Sequence, residues 1–208
     1  MKSLAALAIV VIVNSLYVGA FYKNSFDVIR GCKQYNPIAG YDCPLKYFPT
    51  ADFRHVGVTV DSKFFKLAVL GPNDGHIRFG DSLYPYDKDV IEIVLGGWAN
   101  TKSVGRRQRR VETNKYTNIQ LTEAQTPNIL SPFHPTVFVV EVFNNGTVQA
   151  SIDGQAHPFL SFTDESLIPV DYMAFAKFDK DLVYFYDCPL DNANTVSDNL
   201  LRNNTTEQ

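Results

Sequence analysis

The polar side chains that recognition or catalysis would use are concentrated between Asn73 and Arg110. Asn73, Asp74 and His76 lie in and just after a GPNDG turn segment. An amide, a carboxylate and an imidazole so close together suit hydrogen bonding to a ligand or oxygen donation to a cation, and an Asn-Asp-Gly loop is equally ordinary turn chemistry. Trp98, the only tryptophan, follows Gly96-Gly97 and precedes Asn100-Thr101-Lys102-Ser103. There it either stacks on a sugar ring or apolar ligand, with Asn100 beside it, or packs as core. Arg106, Arg107, Arg109 and Arg110 then fall within five residues. Guanidiniums at that density repel one another unless solvent or anions intervene. The run reads in three ways: a solvated loop or edge strand, a site for sulfated glycans or another polyanion, or, from RQRR, a site for furin-like processing.

Catalytic constellations are missing from the sequence. His55, His76, His134 and His157 are scattered without metal-ligand spacing such as HExxH, and no GxSxG elbow occurs. Carboxylates are spread along turns rather than paired. A doubly wound domain that binds S-adenosylmethionine needs a glycine-rich loop between strand and helix, and the chain contains no GxG. The expectation is therefore no catalytic residue, no metal and no cofactor. A net charge of −3 with a pI near 5.8 argues against a general nucleic-acid binder. The expected partner is an extracellular ligand, a glycan or polyanion.

Strands must position these residues. In DVIEIVLGG, Val90, Glu92 and Val94 fall on one face and Ile91, Ile93 and Leu95 on the other. FFKLAVL and TVFVVEVF are apolar on both faces, as inner strands are. Asn144-Asn145-Gly146 and Asp153-Gly154 mark hairpins, and Pro158 marks an edge position or a bulge. DYMAFAKF and DLVYFYD read as a final hairpin around Asp179–Asp181. Turn signals recur about every ten residues and no convincing amphipathic helix interrupts them, so the fold reads as an all-β antiparallel sandwich, jelly-roll-like.

Residues 1–20 read as a signal peptide: Lys2, an apolar stretch from Leu4 to Val13, then small residues. The stretch is short for a membrane span, so the expectation is a secreted protein without one. In that oxidising setting three cysteines give one bridge and one leftover. YDCP occurs before the first core strand and after the last, which favours Cys43–Cys188. Cys32–Cys43 and Cys32–Cys188 stay open. Sequons place glycans at Asn145, Asn203 and Asn204. The chain divides into the signal, an N-terminal extension (21–44), one domain (45–189) and a polar tail (190–208) read as disordered.

IEIVLGGWANTKSVGR, residues 91–106, resembles the signature of the farnesoic acid O-methyltransferase-like domain family of insects and other invertebrates. The resemblance continues through FFKLAVLGPNDGHIRF, FVVEVFNNGTVQASIDG, FLSFTDESLIPVDYMAF and VYFYDCP, about Leu45 to Pro189. It implies a role in insect extracellular fluid or secretions. The family's name implies methylation of farnesoic acid in juvenile hormone synthesis. Two functions are thus expected in competition: a non-catalytic ligand- or glycan-binding module, and that methyltransferase.

Overall fold

β-branched and aromatic residues alternating with polar ones fold here as strands almost throughout. The computed structural model describes residues 24–38, 40–111 and 115–190. In chain order its strands are β1 (Lys33–Tyr35), β2 (Tyr47–Pro49), β3 (Val56–Val58), β4 (Ser62–Leu70), β5 (Gly75–Gly80), β6 (Asp89–Gly96), β7 (Lys102–Arg110), β8 (Tyr116–Gln125), β9 (Thr136–Phe143), β10 (Thr147–Ile152), β11 (Leu160–Thr163), β12 (Tyr172–Lys177) and β13 (Val183–Tyr186). One sheet runs β1-β13-β4-β9-β10-β11, with β3 also on β4, and the other runs β2-β12-β5-β6-β7-β8. Pairing between these strands is antiparallel. The all-β sandwich read from the sequence is the observed fold.

The sheets meet through the apolar faces of their central strands. Phe65, Leu67 and Val69 of β4 and Phe138 and Val140 of β9 pack in one core with Ile77 and Phe79 of β5, Ile91, Ile93 and Leu95 of β6, and Met173 and Phe175 of β12. Fully burying a side chain of this kind contributes about 1.5–3 kcal/mol. Tyr184 also enters this core, and its hydroxyl accepts from the His76 amide at 2.7 Å and donates to the Ala176 carbonyl at 2.6 Å. Burial pushes its phenol well above the usual tyrosine range. At Gly105 a β-carbon would stand 2.2 Å from the Phe162 ring, so glycine lets β7 lie close against β11.

Three sequence expectations change. β12 and β13 lie in different sheets, so the Asp179–Asp181 turn carries the chain across the sandwich instead of closing a hairpin. Alternation fixes which face of a strand is apolar and leaves open which sheet it joins. The bridge is Cys32–Cys188, and Cys43 is free and exposed. The cause is β1: Lys33 pairs with Tyr186, which brings Cys32 beside Cys188, whereas Cys43 lies against the opposite sheet. β1, inside the expected N-terminal extension, is accordingly a strand of the sandwich. The signal peptide and the sequons at Asn203 and Asn204 lie outside the described residues. Asn145 is exposed on the β9–β10 hairpin.

Candidate functional site

Because Ile77, Phe79, Ile91 and Ile93 point into the core, their neighbours His76, Arg78 and Glu92 point away from it. On β7, Arg106, Gln108 and Arg110 share that outward face, and Tyr116 and Asn118 of β8 continue it. His76, Arg78, Glu92, Gln108 and Arg110 of this polar face are buried, while Tyr116 and Asn118 at its end are exposed. The segment between β1 and β2 crosses it, and Tyr41, only 4% exposed, lies over the cluster.

Glu92 is the hub. Arg78 Nε donates to its Oε1 at 2.5 Å, Arg106 Nε donates to Oε2, and the Tyr41 hydroxyl donates to Oε2 at 3.1 Å. The same hydroxyl accepts from Arg106 Nη2 at 2.7 Å and from Gln108 Nε2 at 2.6 Å. Gln108 also donates to Asn118 Oδ1 and accepts from Arg110 Nε, each at 2.8 Å. The Arg78 and Arg110 guanidiniums lie 4.5 and 4.7 Å from the centre of the Tyr41 ring. Burial pushes the Glu92 carboxyl up, but the charge of Arg78, with His76 and Arg106, outweighs it and holds the group well below the usual carboxylate range. Burial drives the His76 imidazole down, against the pull of Glu92. Its Nδ1 is 3.4 Å from Glu92 Oε1 without forming a hydrogen bond, and Nε2 has no partner.

Beside the cluster a cleft of about 310 Å³ opens, lined by Asp74, His76, Arg106 and Asn118 and by the rings of Trp98, Tyr116 and Phe178. These three rings are 50%, 40% and 55% exposed. A left-handed turn presents Trp98: Gly96, Trp98, Ala99 and Asn100 have φ of 57°, 50°, 58° and 63°. Such backbone is costly for residues with a β-carbon. The Asn100 side chain holds it, donating to the Leu130 carbonyl at 2.8 Å and accepting from the Leu130 amide at 3.1 Å. Burial raises the Asp74 carboxyl, which His76 partly offsets.

Among the ligand residues expected from sequence, Asp74, His76 and Trp98 therefore share one cleft. Asn100 supports the turn from behind, and the Asn73 Oδ1 is buried without a partner. The arginine run is neither loop nor edge: β7 lies between β6 and β8. Arg106 and Arg110 enter the cluster, Arg107 bonds Asp164 at 3.1 Å and Ser166 at 2.6 Å, and Arg109 bonds Asp89 at 2.7 Å. Tyr41, Arg78, Glu92 and Gln108 were not singled out beforehand. The available signal was a charge alternating with apolar residues in HIRF and VIEIV.

A family model described as farnesoic acid O-methyltransferase matches residues 41–190. The chain belongs to that family. The family's description implies a methyl donor, and the glycine pair supplies no cradle for one. A β-carbon at Gly96 would stand 2.5 Å from Asn100 Oδ1 and 3.1 Å from Leu130, so protein already fills that space. No curated protein matches the chain. Similar solved structures include a carbohydrate-binding module of Bacillus subtilis, at 8% identity, covering 67% of this chain and 92% of that one, with a TM-score of 0.39. A galectin of Caenorhabditis elegans, at 12% identity, covers 74% and 94% with a TM-score of 0.38. A legume lectin-like domain from Entamoeba histolytica, at 10% identity, covers 79% and 90% with a TM-score of 0.43. Among the described residues no helix is long and apolar enough to cross a membrane.

Proposed function

We propose that this member of the family is a secreted, non-catalytic binding module that takes a saccharide in the cleft beside Trp98. One observation carries the reading: three part-exposed rings border a shallow cleft whose polar groups include a carboxylate, an amide, an imidazole and a guanidinium. A sugar ring is apolar on its faces and hydroxylated at its rim. Trp98, Tyr116 and Phe178 would meet the faces, and Asp74, Asn118 and Arg106 the hydroxyls. Arg106 is already fixed by Glu92 and Tyr41, so little side-chain freedom remains to be lost on binding.

Trp98 is the only tryptophan, so its fluorescence reports this cleft alone. Screening a glycan panel should identify a sugar that shifts its emission saturably and shields it from acrylamide. With Trp98→Ala, binding followed by calorimetry should weaken about tenfold or more, the equivalent of about 1.4 kcal/mol. A panel without a binder, or binding indifferent to Trp98→Ala, would sink the reading. Methyl farnesoate formed by the purified protein from S-adenosylmethionine and farnesoic acid would replace it with catalysis.

A further inference from the structure

The buried cluster leaves positive charge unmatched at one end. Arg78 and Arg110 are 0% and 8% exposed. Their Nε atoms are taken by Glu92 and Gln108, but all four of their terminal nitrogens lack an acceptor. Within the cluster three guanidiniums face the single carboxylate of Glu92. Burial and the charge of Arg78 push the Arg110 guanidinium below its ordinary value. Both guanidiniums lie against the Tyr41 ring, but buried charged donors without acceptors are costly, so an acceptor seated on them would be favoured.

Both arginines line a second cavity, of about 170 Å³, which shares no residue with the Trp98 cleft. Its other walls are largely apolar, among them Leu45, Tyr47, Leu83 and Val90. An apolar cavity of about 150 Å³ is enough to hold benzene. Two planar, hydrogen-bonding cations thus stand at one side of a space the size of an aromatic ring.

We propose that this cavity binds a small carboxylate with an apolar body about one ring in size, its oxygens accepting from the terminal nitrogens of Arg78 and Arg110. Guanidinium forks match the two oxygens of a carboxylate, which favours this head group. The walls set the size of the body, since a long chain would leave most of its carbons outside. The four nitrogens are closed to water even from the cavity, so a carboxylate reaches them only if part of the wall, which includes Cys43, Pro44 and residues 83–86, shifts.

Benzoate is the probe, with benzyl alcohol as its uncharged match in size. Calorimetry at millimolar ligand should give a saturable heat for benzoate and none for benzyl alcohol. Arg110→Met should weaken benzoate about tenfold or more. Because that change touches the buried cluster, Leu83→Trp is the second variant: Leu83 is exposed at the cavity wall and belongs to none of the cluster's ion pairs or hydrogen bonds, and the larger ring would fill the cavity. It should abolish benzoate binding with the melting temperature unchanged and saccharide binding intact by calorimetry, since the variant carries a second tryptophan and its fluorescence no longer reports Trp98 alone. No heat with benzoate, equal binding of benzyl alcohol, or benzoate binding unchanged in Leu83→Trp would each overturn the proposal.

Discussion

Glu92 and His76 make folding depend on pH in the same direction, at different places on the scale. His76 is buried with its pKa below the ordinary 6.5, so the unfolded chain takes its proton first as pH falls. Its contribution is complete above about pH 6.5 and is lost as pH drops below that. Glu92 is held well below 4.5, so its contribution is complete above that value and is lost further into acid. Asp187 adds to the acid limb: burial would raise it, but the amides of Arg54 and His55 and the charge of Lys33 hold it down. Melting temperature measured against pH should therefore fall in two stages on acidification. His76→Gln should flatten the stage between pH 7 and 5 and leave the lower one. A native profile that is flat from pH 7 to 5 would contradict this account. The sequence did show Glu92 as a charge inside an apolar strand. It did not show the partners, because Tyr41 lies 51 residues away and arrives through a loop without periodicity.

At the scale of the element, β7 shows why composition misleads. Four arginines in five residues suggest exposure, and strand alternation instead divides them between two faces, one with the carboxylate of Glu92 and the other with those of Asp89 and Asp164. Inner strands such as β4 and β9 were legible because both of their faces are apolar. The left-handed turn at Trp98 was not, since tryptophan and alanine rarely adopt that backbone and the side chain of Asn100 that sustains it bonds Leu130, 30 residues on. A protease needs an extended, mobile segment in its cleft, and β7 is hydrogen-bonded on both sides. Native protein incubated with a furin-like protease should thus remain one band on gels, with and without reductant. Two fragments parted after Arg110 would restore the processing reading.

For the whole molecule, the decisive link is the one between its ends. Cys32–Cys188 spans 156 residues and ties β1 to β13. Sequence could not select this pairing: β1 has three residues, too few for a period to emerge, and the repeated YDCP made Cys43 look like the partner of Cys188. Closing a loop of that length restricts the unfolded chain by about 5 kcal/mol in the chain-entropy model, within a measured range that reaches about the same value. The bridge also fixes β1, the edge strand that precedes Tyr41 in the chain. Replacing Cys32 and Cys188 together with serine should lower the urea midpoint by an amount equivalent to about 2–5 kcal/mol. The doubly substituted protein should also weaken saccharide binding in the Trp98 cleft if a loosened β1 lets Tyr41 lift. Cys43→Ser should leave the midpoint where it was, and mass spectrometry of native protein treated with iodoacetamide should find a single adduct, on Cys43. An adduct on Cys32 or Cys188, or a midpoint that moves with Cys43→Ser alone, would mean the ends are joined differently.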